Sequence, residues 1–196
     1  GRSLSAQFPT PGVKSGSRSF VINGEGLAGE APNPVSVNYT ATALAHAEPS
    51  FSAESDINDH SINFGYVHAS FAPRTENFAI HNVPHAAGAA LTAGMDIDSV
   101  EHFGSTLLAT NVGPAHHIAA GTSINRTATF TPDTVPSVVS AADVIDVSDE
   151  DYPGAAAGTS LILGTTARTL TDATLPVTGV LKLLGGETLN TGPFEM

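Results

Sequence analysis

An all-β chain of the sandwich class is the fold this sequence predicts, on three observations. Short runs alternate apolar and polar residues, the signature of strands buried on one face. Proline and glycine turns punctuate those runs at strand-length intervals, at Pro32–Pro34, Val83–His85, Gly113–Pro114, Thr131–Asp133 and Tyr152–Gly154. Only 13% of residues are charged, and Gly, Ala, Ser, Thr and Val dominate, a composition that suits β-structure built from small and β-branched side chains.

Taken in order, the expected strands are Ser19–Asn23, Val35–Leu44, Ser61–Val67, Glu76–Asn82, Ala89–Met95, Thr106–Asn111, Ser123–Thr131, Ser137–Val147, Thr159–Thr166 and Thr174–Leu184. The Ala-rich stretch Ala86–Gly94 is the one place where a helix competes; Gly88 and Gly94 favour an extended or looped course. GEGLAG at Gly24–Gly29 matches a dinucleotide-binding pattern formally. EAPNP follows it and blocks the helix such a site requires, so a turn is expected there.

Polar and acidic residues between Glu48 and Asp59 suggest a boundary. The expected organisation is a partial β-unit or strand-exchange arm over 1–49, a linker over 50–60, a β-sandwich over 61–184 and a C-terminal tail over 185–196. A unit the size of 1–49 is too small to bury a core alone. It is therefore expected either to be the C-terminal remnant of a preceding domain or to complete a sheet in the sandwich or in a neighbouring molecule.

Charge and composition exclude several functions. Seven basic residues face 19 acidic ones, for a formal net charge of −12, so nucleic acid and anionic membrane surfaces are repelled. The absence of cysteine removes disulfides, thiolate chemistry and Cys-based metal sites. No apolar run approaches the roughly 20 residues of a membrane span. The chain opens at Gly-Arg rather than Met, as expected of a mature or trimmed product whose leader or anchor would lie beyond these residues.

The segment DVIDVSDEDYPG, Asp143–Gly154, carries the densest chemistry: a β-branched strand runs into acids and a Pro-Gly turn. Calcium takes six to eight hard oxygens, and Asp146, Asp149 and Asp151 are its candidate ligands, with Asp96 and Asp98 as possible additions. A solvated strand end is the competing reading, since the EF-hand spacing is absent. The eight histidines read as surface or loop residues. His116 and His117 are adjacent, and adjacent residues on a strand point to opposite faces, so they do not share one ion. There is no G-x-S-x-G elbow, and the acid pairs Asp96/Asp98 and Glu150/Asp151 are expected in turns without a tryptophan platform. No catalytic residue is assigned.

SINFGYVHASFAPRTENFAIHN, residues 61–82, resembles the opening of the bacterial Ig-like domains described as choice-of-anchor D or ASH-like, through Ile62, Phe64, Gly65, Val67, Phe78, Ile80 and Asn82. IAAGTSINRTATFTPDT resembles a strand pair of the same family at Ala120, Gly121 and Ser123. DVSDEDYPGA and TLPVTGVLK resemble its closing segments in secreted planctomycete-type and PEP-CTERM-associated proteins, and VNYTATALAHAEPSF a passage between repeats. The resemblance spans about residues 35–184 and implies an Ig-like sandwich serving as a structural or adhesive module rather than an enzyme. Long inserts around His81–Gly94 and Pro114–Ala120 depart from that pattern. By residue chemistry alone, Phe64, Val67, Phe78 and Ile80 are core stabilisers worth about 1.5–3 kcal/mol each, and Gly65 marks a bulge or bend. The expected function is a secreted, cell-surface building block assembling into a homopolymer through edge strands or the N-terminal arm, with no obligatory cofactor. The alternative is a calcium-dependent module that binds a glycan or small ligand.

Overall fold

In the computed structural model, residues 8–22, 28–29 and 31–171 are described, and their regular structure is β apart from one 3-10 turn. β1 (Gly12–Ile22) and β2 (Asn33–Ala43) form an antiparallel ribbon. β3 (Pro49–Ser50), β5 (Arg74–Asn82), β9 (Ser123–Phe130) and β7 (Leu108–Thr110) make one sheet, in the order β3-β5-β9-β7. β4 (Asp59–His68), β11 (Leu161–Leu170), β10 (Ser137–Asp149), β6 (Met95–Gly104) and β8 (Ala115–Ile118) make a second, in the order β4-β11-β10-β6-β8. Pairing is antiparallel except where β4 runs parallel to β11. No helix among these residues is long and apolar enough to cross a membrane.

The two larger sheets face each other across one core, because alternate residues of their strands are apolar and point inward. Phe64 and Val67 on β4, Phe78 and Ile80 on β5, and Ile145 and Val147 on β10 are all buried, and the Phe64 and Phe130 rings stack across the core 6.0 Å apart. All four residues expected to stabilise the core do so.

Gly65 sits at φ +68, where the register of β4 on β11 shifts between Thr166 and Arg168, and its N–H bonds the Asn63 side chain. It is the bulge expected from the sequence. Gly104, at φ +106, ends β6 where an added Cβ would lie 2.5 Å from the Ser140 carbonyl, whereas a Cβ on Gly65 would meet nothing. Gly104→Ala is therefore expected to lower stability by about 2–3 kcal/mol, against about 1 for Gly65→Ala. Urea midpoints of the two variants check the order, and an equal loss would contradict it.

Several expectations are corrected. Ala89–Met95 is not a strand: Ala89–Leu91 form a 3-10 turn, and the strand β6 begins only at Met95. Asp96 and Asp98 consequently lie on a strand, not in a turn. β6 hides its alternation behind a bulge, since Asp146 opposes Ser99 but Val147 opposes Ile97, leaving Asp98 extra and burying Met95, Asp96 and Ile97 in succession. No strand is expected between Asn111 and Ser123, yet β8 lies there. Residues 50–60, expected as a linker, are tied into the body: the Ser50 hydroxyl accepts the N–H groups of Ser52 and Ile57, each at 2.9 Å, and Phe51 packs on the core. The expected strand Thr174–Leu184, the tail 185–196 and most of GEGLAG lie outside the described residues.

Candidate functional site

Two features stand apart from ordinary packing: the ribbon β1–β2, and a set of acids tied by histidines.

The ribbon pairs eleven residues on each side, from Gly12 with Ala43 to Ile22 with Asn33, and among the described residues its strands pair only with one another. Directly paired residues share a face. One face collects Lys14, Gly16, Arg18, Phe20 and Ile22 with Val35, Val37, Tyr39 and Ala41; the other is mostly Ser, Thr and Asn. The ribbon is thus amphipathic, yet Ile22 is 56% and Val37 48% exposed. The Tyr39 ring lies against Gly16, where a Cβ would stand 2.4 Å from its hydroxyl oxygen. Within 1–49, expected as a partial β-unit or strand-exchange arm, β1 and β2 pair with each other rather than with a strand of either larger sheet.

The acids follow from strand alternation. On β10 the odd positions face inward, which places Asp143 and Asp149 on the same side as Ile145 and Val147. A buried carboxylate must be hydrogen-bonded, and with five lysines and arginines among the described residues the donors here are histidines, a hydroxyl and backbone. Asp143 accepts Thr110 Oγ1 at 2.5 Å, joining β10 to β7 in the opposite sheet, and its other oxygen meets His102 Nδ1 at 2.5 Å. Asp149 accepts the Ala47 and Ala156 N–H groups at 2.7 and 3.0 Å and meets His46 Nδ1 at 2.5 Å. Asp96 accepts the His117 N–H at 2.8 Å and meets His116 Nδ1 at 3.1 Å. The His117 ring turns to Glu150, at a backbone φ of +59 unusual for a residue with a side chain.

Burial of Asp96 alone would raise its pKa, but the His117 N–H bond, the His116 bond and the charges of both rings together hold it below its ordinary 3.8. A folded-state value below the unfolded one stabilises the fold above that ordinary value, and the contribution disappears as pH falls through the folded value. Asp96→Asn is therefore expected to flatten the acid limb of the stability–pH curve between about pH 5 and pH 2. Urea melts across that range check this; an unchanged limb would assign the acid response to other groups.

The candidate calcium ligands are not gathered at one point. Asp146 lies on the outer face of β10, accepting the Ser99 and Ser160 hydroxyls, Asp149 lies inside with its oxygens engaged as above, and Asp151 is exposed in the turn beyond. Asp98 faces outward to Ser148 while Asp96 faces inward. Among the described residues no group of three or more acid or histidine side chains stands in metal-holding geometry. A cleft of about 340 Å³ is lined in part by His46, Glu48, Asp56, Asn58 and Thr159.

Sequence reasoning missed the histidine ties. The signal was present in the inward phase of Asp143 and Asp149 beside Ile145 and Val147. The histidine partners, 41 and 103 residues away in sequence, were not.

No family model matches the chain, and no curated protein matches it. Among solved structures it is similar to a protein of unknown function from Porphyromonas gingivalis W83, at 15% identity over 83% of this chain and 68% of that one, with a TM-score of 0.39. The class defined by fold and site is an all-β protein whose two-sheet body is tied by histidine–carboxylate pairs and carries an amphipathic ribbon.

Proposed function

We propose that this chain is an Ig-like structural module of a secreted or cell-surface bacterial protein, and that copies of it assemble through the ribbon β1–β2. The observation that carries the reading is the ribbon itself: a paired, ordered element with an exposed apolar face, of the kind that marks an interaction surface. A ribbon of this kind gains stability when its apolar face is covered.

Supporting the Ig-like reading is the strand order. β5 and β9 flanked by β3 and β7 resemble the four-stranded Ig sheet, and β6, β10 and β11, extended by β8, resemble the opposite one. The lack of cysteine and the acidic balance suit a bacterial extracellular module that relies on packing rather than disulfides. The choice-of-anchor D or ASH-like resemblance points the same way. The body's role is mechanical in this reading, with Asp143 and Asp149 as ties inside it.

Sedimentation velocity over about 1–100 µM, the range that captures weak to moderate protein contacts, tests the proposal, with electron microscopy of the concentrated sample. Concentration-dependent growth into oligomers, filaments or layers is expected, and Val37→Asp should shift the protein toward monomer. A monomer throughout would overturn it.

A further inference from the structure

The body carries a surface that matches the ribbon in shape and charge. One register row crosses four strands on the outer face of the larger sheet: Asp59 on β4 opposes Ile162, Ile162 opposes Val144, and Val144 opposes Glu101 on β6. Its centre is apolar and its two ends are acidic. Ile162 is 44% exposed, and Phe103, in the next row on the same face, is 53% exposed. Neither Asp59 nor Glu101 has an ion-pair partner among the described residues.

The ribbon's apolar face has the opposite pattern. Lys14 and Arg18 flank Gly16, over which the Tyr39 ring lies, so two cations bracket an aromatic centre. β1 and β2 contain no acidic residue, whereas residues 44–171 contain 14 acidic side chains and three arginines. At a rise of about 3.3 Å per residue, Lys14 and Arg18 stand about 13 Å apart along β1. Across three strand spacings of about 4.8 Å, Asp59 and Glu101 stand about 14 Å apart. The two spans coincide when the ribbon crosses the sheet strands at near right angles, one of the preferred packings of sheet on sheet.

We infer that the ribbon of one copy docks on this outer face of a second copy, Lys14 and Arg18 pairing with Asp59 and Glu101 while Tyr39 covers Ile162 and Val144. The contact joins different patches on the two partners, so it propagates head to tail into a ring or filament. The inference rests on the self-assembly proposed above and names its partner surface.

Charge reversal tests it. The paired variant Lys14→Glu/Arg18→Glu, and separately Asp59→Lys/Glu101→Lys, should each weaken association at least about tenfold at low salt and invert its salt dependence, since like charges then face each other and added salt screens their repulsion. Mixing or combining the two reversals should restore association toward the original. All positions are exposed or partly exposed, and thermal melts by circular dichroism verify that each variant keeps its fold. Assembly that survives both reversals, or is not restored by their combination, overturns this docking and leaves self-assembly standing. A wild-type chain that stays monomeric removes both.

Discussion

Asn82→Ala is expected to lower unfolding stability by about 3–5 kcal/mol, a large share of the 5–15 typical of a domain. Asn82 is fully buried at the end of β5, and its side chain is a junction of three segments. Its Nδ2 donates to the Ala93 and Ile118 carbonyls, both at 2.9 Å, and its Oδ1 accepts the Glu48 N–H at 3.2 Å. Alanine removes all three bonds at once and leaves the opposing groups without partners where water is excluded. Each orphaned group costs about 1–3 kcal/mol, partly relieved by local adjustment. Asn82→Asp makes a useful comparison, because it keeps an acceptor for Glu48 but loses both donors. Urea unfolding midpoints with slopes decide the matter; a loss below about 1 kcal/mol would mean that the three segments are held by other contacts.

Phe64→Ala is expected to cost a similar 3–5 kcal/mol through a different cause. The ring is 1% exposed, stacks on Phe130, and bridges β4 to β9 across the two sheets. Truncation forfeits the transfer energy of the ring and opens a cavity that neighbours from two separate sheets cannot readily close. Phe64→Leu should recover more than half of the loss, since it refills most of the volume. Chemical denaturation of the pair provides the measurement. Near-equal losses for the two would show that shape rather than volume governs the site.

Much of the body was legible because its strands obey simple alternation. Phe64 and Val67 on β4, and Phe78 and Ile80 on β5, read correctly as core residues, and Gly65 read correctly as a bulge. β6 did not, because its bulge at Asp98 breaks the period of two and because aspartates resemble turn residues when only local pattern is available. β8, four residues long and containing two histidines, carries too little apolar signal to be seen.

For the candidate site, local composition pointed to the acidic run but to the wrong grouping. Asp146 and Asp149 are three residues apart, and on a strand that separation sends them to opposite faces. What each acid binds depends on which distant segment lies against it.

By itself, then, the sequence determined the all-β class, the core positions of Phe64, Val67, Phe78 and Ile80, and the acidic character of the chain, because these follow from composition and from the two-residue period of a strand. Only the tertiary structure decided that Asp96, Asp143 and Asp149 are buried ties to His116, His102 and His46, and that β1 and β2 pair with each other into a ribbon with one exposed apolar face. Pairing across tens of residues depends on sheet register and strand order, and no local pattern encodes either.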